Sequence, residues 1–292
     1  MDYLDIGKNI KDLREYYGIS QRELAKGICT QPTISNIEKG ENFVAAQLLH
    51  MIAERLGVDI NYFFNIAETP KIDYMNETFY YIRLYVRQGK FTEAKKLISS
   101  EKNNPLFRAL SSQQFFHWQL ALCTYYLEGK FEESIKMLED SLLMRNTTSK
   151  NYSEREVEII ISIAILYSEN KDYKTANINY EKALSFIKKL PKIQDKLIEP
   201  RLYYNYSKCL YDQSIYAESV NLSTQGIIEC KHRMSTYLLG ELYYQKGKSL
   251  LYLNDTNEDT IEYFHKALWY FKENENQLFY TLVNDELKTL TN

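Results

Sequence analysis

Four short strings recur along this chain at nearly constant spacing. They are Phe91-Thr92-Glu93-Ala94, Phe131-Glu132-Glu133-Ser134, Tyr173-Lys174-Thr175-Ala176 and Tyr216-Ala217-Glu218-Ser219, separated by 40, 42 and 43 residues. A second string, a small residue followed by an aliphatic one, keeps pace with them. It reads Ser141-Leu142, Ala183-Leu184, Gly226-Ile227 and Ala267-Leu268, spaced 42, 43 and 41 apart, and brings in a fifth, less regular unit around 240–273. Tyr85, Tyr125, Tyr167 and Leu210 each stand six residues ahead of a first-type anchor. A period of this kind means one supersecondary unit used repeatedly. No single unit can bury its own apolar face, so the units must stack.

Composition says which unit. Gly 10 and Pro 5 in 292 residues are far below ordinary usage. That excludes sandwiches, barrels and glycine-loop enzymes, which need many special turns. The aromatic share of 14%, mostly the 26 tyrosines, excludes disorder. Helix, short turn such as Gln88-Gly89-Lys90 or Glu128-Gly129-Lys130, then helix is the tetratricopeptide pattern, with small residues at the crossings and aromatics in the gaps. The expected fold is all-α: a right-handed superhelix of about five such repeats with a concave groove, closed by a capping helix from Gln277 to Leu290. The period exceeds the usual ~34 residues, so some links are long, Lys188 to Pro200 among them.

The first 66 residues follow another plan. Ile6, Ile10, Leu13 and Tyr17 keep helical spacing, and Gly18 ends that helix. Ser20 with Glu23 reads as a capping box for a short second helix carrying Leu24 and Ile28. Thr30 caps a third helix, Gln31 to Lys39, with Pro32 in its first turn and Ile34 and Ile37 facing inward. Ala45 to Leu56 gives a fourth, and Asn61 to Phe64 a last turn. Two short helices on a tight turn make a helix-turn-helix. The third helix then offers Gln31, Thr33, Ser35, Asn36 and Lys39 to a major groove, where Gln and Asn can bond adenine bidentately. Gln21, Arg22 and Thr30 lie where phosphate is gripped. The segment holds seven Lys/Arg against nine Asp/Glu, so binding by one copy should be weak and two copies should share one two-fold DNA site.

The run Ile19-Ser20-Gln21-Arg22-Glu23-Leu24-Ala25, with Thr33-Ile34-Ser35-Asn36-Ile37-Glu38-Lys39-Gly40, resembles the Xre/phage-repressor helix-turn-helix domains. The resemblance implies Gln21 on phosphate, Gln31, Thr33 and Asn36 near bases, and Glu38 as a structural partner. The turn is about one residue shorter than the commonest spacing in that family.

Counting back from each anchor gives the groove-facing residues. They are Arg83 and Arg87 in the first unit, Gln119 in the second, Arg201, Tyr204, Asn205 and Lys208 in the fourth, and Glu241, Tyr244, Gln245 and Lys248 in the fifth. Asn205 and Gln245 occupy equivalent places, and a carboxamide can bond both the N–H and the C=O of an extended peptide. The cations suit a peptide's carboxyl terminus. The same residues also read as ordinary solvated side chains on helix faces.

Taken whole, the chain resembles the peptide-pheromone regulators of Gram-positive bacteria, the Rap, Rgg, NprR, PlcR and PrgX group. Within it the stretches 201–208 and 242–247 are similar to the groove-lining helices of PlcR-like members. The resemblance implies residues 1–66 as a DNA-binding domain, 67–75 as a linker and 76–292 as a peptide-sensing and dimerisation domain. It implies a homodimeric transcription regulator reset by a short signalling peptide, with Asn205 holding the peptide backbone. In the third unit Ile161 and Ile165 stand where polar contacts would be expected. The alternative is a repeat module of Rap-like type that sequesters a protein partner.

Nothing points to an enzyme. His50, His117, His232 and His265 are scattered, and there is no HExxH, Walker loop, GxGxxG or GxSxG. No metal or other cofactor is expected. Cys29, Cys123, Cys209 and Cys230 have no paired spacing and read as free thiols in a reducing compartment, with Cys29 either a small core residue or an oxidation sensor. With no signal peptide and no long apolar run, the expected location is the cytoplasm, away from membranes.

Overall fold

The computed structural model describes residues 3–60, 62–65, 70–144, 152–190, 193, 195–253 and 258–291. Its regular elements there are sixteen α-helices and one 3-10 turn. They form two compact units, residues 1–80 and 81–292.

The first unit contains α1 (Tyr3–Tyr16), α2 (Gln21–Ala25), α3 (Gln31–Glu38), α4 (Ala46–Leu56) and α5 (Tyr62–Asn65). Its core is Ile6, Ile10, Leu24, Ala25, Ile34, Ile37, Leu49, Ile52, Ala53, Leu56 and Phe63, whereas Tyr17, past the end of α1, is exposed and Ile28, past the end of α2, is outside this core. Ser20 and Glu23 form the full capping box at α2, and Thr30 caps α3. Helix α1 lies so close to α3 that a Cβ on Gly7 would stand 1.9 Å from the Ile37 carbonyl oxygen. Only glycine permits that approach.

Helix α6 (Pro70–Arg87) begins in the first unit and ends in the second. Of the linker expected at 67–75, residues 67–69 lie outside the described set. Residues 70–75 are the first turns of α6, entered through Pro70, whose missing N–H is no loss at a helix start.

From there the helices come in pairs, α6 with α7 (Phe91–Glu101), α8 (Leu110–Glu128) with α9 (Phe131–Leu143), and α10 (Glu154–Glu169) with α11 (Tyr173–Ile187). They continue with α12 (Ile198–Asp212) and α13 (Tyr216–His232), then α14 (Leu239–Tyr252) and α15 (Glu258–Glu273), and α16 (Gln277–Thr291) closes the series. Each aromatic anchor, Phe91, Phe131, Tyr173 and Tyr216, is the first residue of a second helix. The small residues three positions on, Ala94, Ser134, Ala176 and Ser219, are all wholly buried. At Gly226 a Cβ would meet the end of the Leu242 side chain at 2.6 Å, so a larger residue at that crossing would make Leu242 shift.

The anchors also stack the units. Phe91 lies 4.3 Å from the Tyr126 ring of the next pair, Phe131 5.4 Å from Tyr167, and Tyr216 4.8 Å from Tyr252, centroid to centroid. Offset and edge contacts of this kind add to the apolar burial. Among the described residues no helix is long and apolar enough to cross a membrane.

Candidate nucleic-acid interface and ligand groove

In the first unit, a buried ion pair ties α1 to α3. Arg14 donates from Nε to Glu38 Oε1 (2.6 Å) and from Nη2 to Glu38 Oε2 (2.9 Å), and from Nη1 to the Ile19 carbonyl (2.8 Å). Both side chains are nearly excluded from solvent. Gln21 Nε2 donates to Glu38 Oε2 at 2.8 Å, and Gln31 Nε2 donates to Gln21 Oε1 at 2.7 Å. A carboxylate only accepts, so Gln21 must turn its amide hydrogens to Glu38 and its oxygen to Gln31. The chain Arg14–Glu38–Gln21–Gln31 thus runs from the core to the exposed start of α3. Gln31 retains one amide hydrogen and its carbonyl oxygen for another partner.

Arg22, Thr30, Gln31 and Lys39 are exposed, and Gln21, Thr33, Ser35 and Asn36 are half-buried. Thr30 and Thr33 share a hydroxyl contact of 2.8 Å, so both are partly committed to the cap. Arg55 of α4 spans to the end of α2, donating to the carbonyls of Glu23 (3.0 Å), Leu24 (3.3 Å) and Lys26 (2.7 Å). Nothing in the local sequence announces that clamp, which joins residues about thirty apart. Cys29 packs at the core edge, and burial pushes its thiol up, away from the reactive thiolate.

The second unit carries two adjoining cavities. One, of about 220 Å³, is walled mainly by the first helices of successive pairs: Arg83 and Arg87 of α6, Trp118 and Gln119 of α8, Ser162 and Ile165 of α10, and Arg201, Tyr204 and Asn205 of α12, with Tyr237 and Leu238 just before α14. The other, of about 550 Å³, is lined by Ser168, Glu169, Lys171, Lys208, Asp212 and five tyrosines. Ile165 and Asn205 belong to both, so the two form one trough across several repeats.

An ionic clasp backs the first cavity. Glu158 of α10, its side chain 2% exposed, takes Nη1 and Nη2 of Arg83 at 2.7 and 2.9 Å and Nη2 of Arg201 at 2.6 Å. Burial alone would raise this carboxyl, but Arg201 and Arg83 prevail and hold it below the ordinary value. Arg87 bonds Asp195 at 3.1 Å. The clasp ties the first, third and fourth pairs together, and a spacing argument within one repeat does not reveal it.

Of the expected groove residues, Arg83, Arg87, Gln119, Arg201, Tyr204, Asn205 and Lys208 line the trough. The fifth-unit set does not. Gln245 is 1% exposed and donates inward to the Ser207 carbonyl (3.4 Å) and to the Ser219 (3.1 Å) and Ser249 (3.4 Å) hydroxyls, so it serves a polar seam between helices. Tyr244 donates its hydroxyl to Glu286 of α16 at 2.6 Å, and Lys248 lies over the rings of Tyr211 and Tyr244, where burial lowers its pKa. Glu241, raised by burial, also lines neither cavity. Tyr237, Leu238 and Tyr252 take that wall instead. In the third pair Ile161 is core, while Ile165 is a groove residue. Among the described residues no His/Cys/Asp/Glu group could hold a metal ion.

The match to known families decides between kinds of repeat protein. The model of the RNPP family C-terminal domain matches residues 82–289, well over half of the chain. The chain belongs to the RNPP family. Residues 10–63 of this RNPP protein match a helix-turn-helix model. Its fold is similar to that of Bacillus thuringiensis PlcR in complex with the peptide PapR7 and DNA, at TM-score 0.78 and 24% identity over 96% of this chain and 99% of that one. It is similar also to ComR from S. thermophilus in complex with DNA and its signalling peptide ComS (TM-score 0.67, 14% identity, 98% and 100% covered). A third is the Streptococcus dysgalactiae SHP pheromone receptor Rgg2 (TM-score 0.61, 16% identity, 97% and 99% covered). No curated protein matches the chain.

Proposed function

We propose that this RNPP protein is a cytoplasmic, homodimeric transcription regulator that binds a two-fold DNA site and is controlled by a short signalling peptide. The observation that carries the reading is the presence in one chain of a helix-turn-helix with an ordered polar face and a repeat unit with a continuous trough. PlcR and ComR, similar in fold over nearly their whole length, are described in complex with DNA and peptide. The helix-turn-helix favours this reading over a module that only sequesters a protein partner.

Arg22, Lys39 and the α2 start hold phosphate, while Gln31, Ser35 and Asn36 read base edges, with Gln21 setting the orientation of Gln31. In the trough, Asn205 donates Nδ2 to the Arg201 carbonyl at 2.8 Å, which steers its amide oxygen toward a ligand N–H. Peptide binding shifts the repeat unit between curvatures, and curvature sets the separation of the two reading helices of the dimer. A separation near one DNA turn, ~34 Å or a multiple, permits binding. Selection of bound sequences from random DNA by the full-length protein tests the reading. An inverted repeat is expected, and a pool without enrichment refutes it.

A further inference from the structure

Two arginines one turn apart on α6 tie the first helix pair to every later pair. Arg83 lies over the rings of Phe115 and Trp118 of α8, 5.3 Å from each centroid. It also gives Nη1 and Nη2 to Glu158 of α10, which takes Arg201 of α12 as well. Arg87 bonds Asp195, just ahead of α12, at 3.1 Å and lies 5.8 Å from the ring centroid of Tyr237, just ahead of α14. Asp195 is itself fixed. Its backbone N–H donates to Glu154 of α10 at 2.8 Å, and its Oδ1 accepts from the Leu197 N–H at 2.9 Å.

Stacked repeats touch only their neighbours. A contact from the first pair to the fourth or fifth therefore crosses the concave side, and its length depends on curvature. Opening the superhelix draws Arg87 from Asp195 and Tyr237 before neighbouring helices part. Apolar packing does little to oppose this at α6. Of residues 81–87 only Ile82 is fully buried, whereas α8 and α10 each bury a long run of side chains.

The ligand space shares these two side chains. Arg83 and Arg87 line the smaller cavity, while Glu158 and Asp195 line neither cavity. The carboxylates hold the arginines from outside that space, and a ligand meets them from within it. An arginine only donates, so ligand acceptors and the two carboxylates draw on the same N–H groups.

Resting on the peptide-regulator reading above, we propose that Arg83 and Arg87, held by Glu158 and Asp195, form a clasp that sets the curvature of the repeat unit. A ligand in the smaller cavity resets that curvature through the same two arginines. Helix α6 is shared by the two units, so the clasp also passes the ligand's presence toward the reading unit. Glu158 and Asp195 are positioning residues, acting only through the arginines they bind.

Asp195→Asn in the full-length protein tests this. The amide keeps Oδ1 for the Leu197 N–H and removes the charge that holds Arg87. Nitroxide labels on Gln88→Cys and Met234→Cys, at the exposed α6–α7 and α13–α14 turns, report the span across the groove. The background is Cys29→Ser, the other three cysteines being buried. Excess unlabelled protein keeps each measured pair of labels within one chain. One narrow distance is expected with Asp195 intact, and a distribution broadened toward longer distances in Asp195→Asn.

The second readout uses a heptapeptide and a two-fold DNA, both selected on the wild-type protein from random libraries. Asp195→Asn is expected to bind both. Its DNA affinity should nevertheless change less than about twofold on saturation with the peptide, against about tenfold in wild type, a loss that a merely structural aspartate would not give. Glu158→Gln is the second variant and is expected to behave alike through Arg83. The proposal is overturned if both variants keep the wild-type label distances, or if their DNA affinity follows the peptide as wild type does. A wild-type protein that yields no binding peptide, or whose DNA affinity ignores it, refutes the peptide-regulator reading instead, and the label distances still decide the clasp.

Discussion

Arg14 and Glu38 meet in a two-pronged pair beneath the reading helix, with both side chains nearly shut off from water. Both residues are buried, yet the pair fixes Gln21, and through it Gln31. Removing one member of a buried pair strands the other charge, which costs about 3–5 kcal/mol. Glu38→Ala should therefore destabilise the first unit by that order, read from its denaturant midpoint. A loss below about 1 kcal/mol would show that the pair does not hold the unit.

Gly7 makes a sharper steric demand. A methyl group placed there would stand 1.9 Å from the Ile37 carbonyl oxygen, which is backbone and cannot swing aside. Gly7→Ala should destabilise the unit by about 1–3 kcal/mol as α1 and α3 are forced apart. Helix propensity alone favours alanine, so a stabilised variant would contradict the packing.

Glu158 gives a pH dependence with a definite sign. An ordinary glutamate titrates near ~4.3, and its two arginines hold Glu158 below that. Its contribution is then whole above about pH 4.3 and drains away as pH falls through the lower folded value. Glu158→Gln should cost about 3–5 kcal/mol at neutral pH, and its gap from wild type should narrow below about pH 4.3. Urea titrations across that window check it. A gap that widens on acidification would reverse the assignment.

Asn36 is half-buried on α3, between the core residues Ile34 and Ile37 in sequence. Asn36→Ala should weaken specific DNA binding by about 1–3 kcal/mol, the worth of a bidentate contact with adenine, and leave the melting temperature unchanged. Lys39→Ala should instead weaken all sequences alike and lower the salt slope by about 1. Anisotropy titrations at several salt concentrations separate the two. Unchanged affinity in Asn36→Ala would remove it from the reading set.

The repeat was legible because its signal is periodic and local. Phe91, Phe131, Tyr173 and Tyr216 open their helices, and the small residues three positions later sit at crossings, because both roles depend on one helix pair and its neighbour. The helix-turn-helix was legible because caps and breakers are themselves residue types, Ser20, Thr30 and Gly40 among them. What stayed hidden depends on distant partners. Glu158 draws in Arg83 and Arg201 from two other pairs, and no repeat-level count predicts that neutralisation. Gln245 shares its place in the repeat with Asn205, but Ser207, Ser219 and Ser249 converge on it and turn it into core. The fifth unit also lacks the aromatic anchor that located the groove face elsewhere.

Coupling between trough and reading helix is what would make this chain a switch, and one titration addresses it. The affinity of the full-length protein for its selected two-fold DNA is measured by anisotropy with and without saturating selected peptide. A coupling of about 1–3 kcal/mol is ordinary for two linked sites, or about 5- to 150-fold in affinity. A change of about tenfold or more is expected, lost in Asn205→Ala. The same DNA affinity with the trough full and empty would contradict the coupling.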